Sequence, residues 1–296
     1  MAGIEIRRAT TLEELHSKMG RLVSSEGYKA GLDFMPRPKD VIIAPYAKCG
    51  TTWLQQMVHS LRTGGDLAFD DISQVVPWIE TAHDLGLDLD AEQRAEPRAF
   101  KSHLAWHDVP KGARYIVAVR DPRDALVSAY RFFEGWFFEP GSISIEALGR
   151  ARFVEDRGYY THLASWWPRR HHAEVLLLAY ELMRNDPEGT VRRVARFIGL
   201  DVDEERIAMA CEQSSFGSMR ANNEKYDDAM MRALSERACD LPPGNASKVR
   251  AGGASGHGAE LSAALLDDLD STWSDTIGAE FGLRNYEALL AELAMD

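Results

Sequence analysis

The chain is 296 residues long, 45% hydrophobic and 27% charged, an ordinary globular composition that excludes disorder over its whole length. Its 34 Lys and Arg against 46 Asp and Glu leave a formal charge of −12, which argues against general affinity for nucleic acid or an anionic membrane. A small anionic ligand is not excluded, because it answers to a local field.

In chain order, Thr10 and Thr11 each stand three residues before a glutamate, Glu13 and Glu14, as in a capping box. Leu12, Leu15, Met19, Leu22 and Val23 recur at helical spacing, so a helix is predicted over 11–26, with Gly27, Gly31, Pro36 and Pro38 breaking it. Val41–Ala44 reads as a short strand of the fully buried type. Trp53, Leu54, Met57, Val58 and Leu61 follow at helical period and stop at Gly64-Gly65. Residues 66–97 are acidic and irregular, with short helical pieces expected around 75–80 and 91–96. A strand is predicted over 99–103 and another over 115–119, the second broken by Asp121-Pro122 and followed by a helix through Val127, Tyr130 and Phe133. Residues 159–167 read as helix, 175–179 as strand, 190–198 as helix, and two helices finish the chain. Residues 241–258, rich in Gly, Pro and Ser, form a loop too long to be idle: either a disordered segment or a flexible lid over a ligand.

Strands alternating with helices make an α/β protein, with a mostly parallel central sheet flanked by helices on both faces. Length alone suits two domains or one large one, and with no internal repeat 1–296 is taken as a single domain. No apolar run approaches the roughly 20 residues a bilayer needs, so no membrane span is expected. Cys49, Cys211 and Cys239 are too few and scattered for a disulfide framework or a Cys-rich zinc site. With no apolar signal-peptide core at the start, the expected compartment is the reducing cytoplasm. Monomer and homodimer both stay open.

Two segments carry anion chemistry. The first is the strand 41–44 running through Lys48, Cys49 and Gly50 into a helix that opens on Thr51 and Thr52. Helix N-termini present unpaired N–H groups and positive dipole character, and glycine lets the backbone come close to a ligand. Lys48 adds a point charge and the threonines add hydroxyl donors. An ordinary turn with a threonine cap and a solvated lysine is the plain alternative. The second segment is Arg120, at the end of the 115–119 strand, with Ser128 about two helical turns beyond. An arginine at the mouth of an open α/β sheet can grip a phosphate with two donors, unless an ion pair to Asp121 or Asp124 occupies it. The lysine precedes the glycine, and no apolar strand ends in the aspartate that would hold Mg²⁺, so Mg²⁺-dependent NTP hydrolysis is disfavoured.

Together these elements resemble the cytosolic-type sulfotransferase family, whose sulfonate donor is 3′-phosphoadenosine-5′-phosphosulfate (PAPS), in a bacterial member. Residues 44–53 are similar to the family's Tyr-Pro-Lys-Ser-Gly-Thr-Thr-Trp loop, with Cys49 in place of Ser and Ala47 in place of Pro. Arg120 to Ser128 resembles its 3′-phosphate motif, and Phe100-Lys101-Ser102-His103-Leu104 its Phe-Lys-Thr-His-Leu. Val76-Pro77-Trp78-Ile79-Glu80 is similar to a substrate-pocket segment; the stretches from Tyr180 to Pro187 and from Ser214 to Met219 resemble adenosine-contacting ones. The lid keeps Arg250 and Gly252, but Ala251 stands where the family has lysine and the Asp-Trp pair is missing.

The resemblance implies a P-loop-like three-layer fold and transfer of sulfonate to a hydroxyl or amine of a small, hydrophobic acceptor such as an alcohol, phenol or lipid. It implies His103 as general base, Lys48 as the charge opposite the leaving oxygen, and Lys101 as an assistant, both Lys101 and His103 entering the cleft from one face of a strand. Cys49, Gly50, Thr51 and Thr52 would cradle the 5′-phosphate, Arg120 and Ser128 the 3′-phosphate, and Trp53, Tyr180, Ser214 and Phe216 the adenosine, with Arg250 and Gly252 closing over it. Val76, Trp78, Ile79, Phe132 and Phe133 would line the acceptor pocket. Within 130–138, Tyr130, Phe133 and Phe137 also follow the spacing of a buried helix face. No metal and no nucleic acid are implied. The competing readings are a P-loop kinase and a nucleotide-binding protein of this fold that has lost turnover, the latter suggested by Ala251.

Overall fold

The computed structural model of the protein describes residues 5–244 and 260–295. Four strands, β1 (Val41–Ile43), β2 (Ala99–Lys101), β3 (Arg114–Val119) and β4 (Val175–Ala179), form a parallel sheet in the order β2-β1-β3-β4. Val41 lies beside Ala99 on one flank and Arg114 on the other, and Tyr115 lies beside Val175. Successive strand residues face opposite sides. Ile42, Phe100, Tyr115, Val117 and Leu177 enter one core, and Val41, Ile43, Ala99, Ile116 and Leu178 the other. With both faces covered, the strand interiors have to be apolar, with Lys101 and Arg114 standing only at strand ends, which is why the segments read as hydrophobic runs. The expected strands are all present, but β2 stops at Lys101 and leaves His103 beyond the ladder.

The helix predicted over 11–26 divides in two. α1 (Leu12–Met19) starts from Thr11, whose hydroxyl accepts the Glu14 N–H, while the Glu14 carboxylate accepts from the Thr10 backbone and hydroxyl. α2 (Ser25–Leu32) is capped by Ser24, and Gly27 and Gly31 lie inside it instead of ending it. A Cβ on Gly27 would meet the Asp84 carboxylate at 2.5 Å, and one on Gly31 the Ile79 carbonyl at 2.7 Å. These glycines serve a close approach to the 79–84 segment.

α3 (Thr51–Thr63) ends, as expected, on a left-handed Gly64. After it come two single 3₁₀ turns, Ile72–Gln74 and Ile79–Thr81, and no helix over 91–96. There the Leu89 and Ala91 carbonyls accept from Arg98, and the Gln93 amide exchanges two hydrogen bonds with the Ala99 backbone. Of these groups the Ala91 carbonyl is one a 91–96 helix would have used. The remaining helices are α4 (Pro122–Phe133), α5 (Ile145–Gly149), α6 (Gly158–Trp166), α7 (Tyr180–Asn185), α8 (Pro187–Phe197), α9 (Glu204–Gln213), α10 (Phe216–Ala221), α11 (Ala229–Ala238), α12 (Ala263–Trp273), α13 (Ala279–Phe281) and α14 (Tyr286–Leu293).

α3, α8 and α9 cover one face of the sheet, and α4, α6, α12 and α14 the other. A third apolar cluster lies apart from the strands, built by α1, α5, α11 and the turn after α4. The helical spacing of Tyr130, Phe133 and Phe137 is not realised, because α4 stops at Phe133. Trp136, Phe137 and Phe138 turn into this third cluster, while Phe132 and Phe133 stay half-buried at its edge. Trp166 and Trp167 are core.

The chain leaves β1 for β2 on one side and later fills β3 and β4 on the other. That reversal opens a crevice at the carboxyl ends of β1 and β3, the ordinary ligand position in open α/β sheets. At the opposite end of the sheet a fully buried Arg98–Asp40 pair, 2.6 Å apart, braces the strand starts.

Candidate active site

The loop from β1 to α3 is shaped by its backbone. Lys48 and Gly50 both take left-handed conformations, with φ of 68° and 96°. A Cβ on Gly50 would come within 3.0 Å of the Tyr180 ring. α3 starts there with no side chain capping it, so its first N–H groups and dipole face the crevice mouth. Beside them, the Thr51 hydroxyl and the Trp53 indole N–H are buried without a protein partner. The Cys49 side chain points into the core next to the sheet, and burial pushes its thiol up to about 12, so it contributes backbone and not reactivity.

Arg120, at the end of β3, closes the other side. One guanidinium nitrogen donates to the Lys48 carbonyl at 3.2 Å, and the group lies 4.5 Å from the Tyr180 ring centroid. Its approach to Asp124 is long, 4.0 Å, and its Nε is buried without a partner. Arg120 therefore faces an anion-sized demand that Asp124 does not fill. Tyr180 stands edge-on to Trp53 at 5.7 Å, and the Tyr159 hydroxyl donates to the Arg120 carbonyl at 2.6 Å. Ser128 is half-buried on α4 and Thr52 half-buried on α3. Behind Arg120, the Asp121 N–H donates to Glu181, which also accepts from the Tyr286 hydroxyl. Burial raises the Asp121 carboxyl to about 6.

Of the other nucleotide-side residues, Ser214 turns its hydroxyl onto the Ala210 carbonyl at 2.6 Å, and Phe216 is 41% exposed. Arg250, Gly252 and most of the expected 241–258 lid lie outside the described residues.

His103 hangs from the same loop. Its Nδ1 is 2.8 Å from the Pro45 carbonyl, which accepts only, so Nδ1 carries the hydrogen and the neutral ring keeps its lone pair on Nε2. Its backbone N–H donates to Glu80 Oε1 at 2.7 Å. Trp78 meets the imidazole edge-on at 5.1 Å and carries the Lys101 ammonium over its face at 3.8 Å. Lys48 stands likewise over Phe132 at 3.7 Å. Both cleft lysines thus rest on half-buried aromatic walls, in contacts worth about 0.5–2 kcal/mol each.

Val76 and Ile79, expected at the acceptor pocket, are fully buried in opposite cores, on either side in sequence of the half-buried Trp78. Short contacts join Trp78 to Lys101 and His103, and separately Lys48 to Phe132, with Phe133 beside Phe132 at 5.5 Å. Residue types alone did not reveal Glu80 or the Pro45 carbonyl. The available signal was an acid directly after the apolar run Val75–Ile79. His162, unlike His103 fully buried, lies 5.8 Å from Tyr46, and burial lowers it to about 4; it is a neutral core residue. Among the described residues no cluster of His, Cys, Asp and Glu is arranged to hold a metal ion, and no helix is long and apolar enough to cross a membrane.

A sequence model of the sulfotransferase domain matches residues 38–273. Rat sulfotransferase 2A6 is 31% identical, covering 68% of this chain and 74% of its own. Human sulfotransferase 2A1 is 31% identical, covering 64% and 70%. Among solved structures, retinol dehydratase in complex with androsterone and the inactive cofactor PAP superposes with a TM-score of 0.68, at 22% identity, over 92% of this chain and 95% of its own. Mouse sulfotransferase SULT7A1, complexed with PAP, gives 0.63 at 19% identity over 86% and 89%. The structural likeness establishes the shared fold.

Proposed function

The chain belongs to the sulfotransferase domain family, and from that premise we propose that the cleft among Lys48, Arg120 and His103 carries a sulfonate group from PAPS to a hydroxyl or amine of a small, apolar acceptor. The observation that carries this reading is a convergence on one loop: the Pro45 carbonyl holds a histidine, and the Lys48 carbonyl holds an arginine. A proton acceptor and an anion grip are thereby fixed across the same opening.

The residues fit the donor. Thr51 Oγ1, Trp53 Nε1 and Arg120 Nε are buried donors lacking protein partners, beside a glycine that leaves room for close approach. PAPS supplies an activated sulfonate and a phosphate leaving group. Thr51, Thr52 and the first N–H groups of α3 bind its 5′ side, Arg120 and Ser128 its 3′-phosphate, and Trp53 and Tyr180 flank the base, with Ser214 and Phe216 at the margin. His103 Nε2 takes the acceptor proton, and Lys48, aided by Lys101, places positive charge where the leaving oxygen gains negative charge. Trp78, Phe132 and Phe133 wall an apolar acceptor, in keeping with the androsterone and retinol complexes of the structural relative. The reading takes the chain as one domain working in the cytoplasm, which its three free cysteines support.

Thermal-shift titration with PAP against ATP plus Mg²⁺ tests the donor, and transfer of labelled sulfonate to phenols, sterols and fatty alcohols tests turnover. PAP stabilises the protein, and His103→Ala lowers kcat by about 10²–10⁴ while PAP still binds. Stabilisation by ATP–Mg²⁺ alone sinks the reading; PAP binding without transfer to any acceptor leaves a binding protein.

A further inference from the structure

Of the buried acids that the mechanism above leaves unused, Glu80 is the one bonded to His103. Glu80 is 5% exposed, and none of the ion pairs among the described residues includes it. Burial raises its carboxyl, while the nearby Trp78 and Ser102 side chains and the His103 N–H pull it back down. A buried carboxyl is costly, and a lone structural hydrogen bond would be met more cheaply by an amide.

Its position follows from how the neighbouring strand ends. The Lys101 N–H donates to the Pro77 carbonyl at 2.7 Å, and Trp78 bridges Lys101 in parallel register. Residues 77–78 thus run as a short extra strand beside the end of β2. In a parallel ladder the next donor on this side is the N–H of residue 103, and its acceptor is the carbonyl of residue 79. The chain instead turns into the 3₁₀ segment Ile79–Thr81, and the Ile79 carbonyl points at α2, where Gly31 makes room for it. Glu80 Oε1 accepts from the His103 N–H in its place, at 2.7 Å.

We propose that Glu80 is a positioning residue for His103: its carboxyl replaces the missing ladder carbonyl and, with Pro45 holding the ring, fixes the base against the Trp78 wall. This rests on the reading of His103 as the general base. Two anchors from different elements then set the imidazole, Glu80 through the backbone and Pro45 through Nδ1. With the first gone, the ring keeps its hydrogen-bond partner but not its place.

Glu80→Ala and Glu80→Gln test this in the full chain, with kcat, KM for each substrate, and PAP affinity by calorimetry. Glu80→Ala lowers kcat about a hundredfold, the cost of a roughly 1 Å misplacement. PAP affinity holds, and Glu80→Gln, which keeps an acceptor oxygen, recovers most of the loss. A wild-type kcat in Glu80→Ala, a proportional loss of PAP affinity, or no recovery in Glu80→Gln overturns the proposal. Amide hydrogen exchange at His103 gives a readout independent of turnover: protection lost in Glu80→Ala and kept in Glu80→Gln supports the anchor, and equal protection in wild type and Glu80→Ala refutes it. If Glu80→Ala does not fold, Glu80→Gln against Glu80→Leu gives the same comparison. A wild type that transfers no sulfonate to any acceptor fails the family mechanism, while the exchange result still decides the anchor.

Discussion

The two walls of the cleft are made differently. The wall at β1, α3 and Arg120 is a backbone construction, with two left-handed residues, an open helix start and carbonyls that hold side chains in place. The wall at Trp78, Phe132 and Phe133 is built of side chains brought from separate segments and half-buried at the edge of a cluster lying apart from the sheet. Backbone walls suit a ligand that never changes, since their geometry is costly to alter. Side-chain walls suit a ligand that differs among relatives, because one substitution reshapes them. On the proposed reading, the nucleotide lies against the first wall and the acceptor against the second.

The contrast is sharpened most by Lys48→Ala, which removes the charge opposite the leaving oxygen and lowers kcat about a thousandfold for every acceptor, as labelled-sulfonate assays would read. Next is Arg120→Ala, which weakens PAP binding by about 2–5 kcal/mol in calorimetry and leaves the order of acceptor preference unchanged. Gly50→Ala places a side chain at a φ of 96° against Tyr180, so it costs about 1–3 kcal/mol in denaturant melts together with PAP affinity. Trp78→Ala raises the KM of a bulky acceptor about tenfold, from lost apolar burial, at constant PAP affinity. An equal loss of PAP affinity there would break the division, since Lys101 rests on that ring.

The smallest effect belongs to the half-buried acid next to Arg120. Asp121 titrates near 6 when folded against 3.8 when unfolded, so the folded state holds this proton more tightly. The stability it contributes is complete below pH 3.8 and lost as pH rises through about 6. Asp121→Asn, which still caps α4, therefore adds stability on the order of 1 kcal/mol at pH 7–8, read as a higher melting temperature, and none near the acid end.

The first wall was legible because its chemistry is contiguous: Lys48, Gly50 and the two threonines fall where one buried strand meets one helix. The strands were legible because burial on both faces demands unbroken apolar runs. What escaped reading depends on partners far along the chain. Gly27 and Gly31 look like helix breakers until Asp84 and Ile79 are seen against them. The 91–96 segment has helical composition, yet its Ala91 and Ala95 carbonyls accept from Arg98 and Arg62. Val76 and Ile79 flank Trp78 in sequence, but the 3₁₀ turn at Ile79–Thr81 sends the two side chains into different cores. Glu80 acquires its partner only because 77–78 pairs with β2.

The Pro45 and Lys48 carbonyls bear on how this loop tolerates mutation. Each amino acid brings a carbonyl oxygen, so no substitution deletes these two acceptors; it only displaces them if the backbone moves. The loop can therefore be respelled, with Ala47 in place of proline and Cys49 in place of serine, while its hold on His103 and Arg120 is inherited intact. Its robustness lies in atoms that the genetic code does not vary, leaving drift to act on side chains.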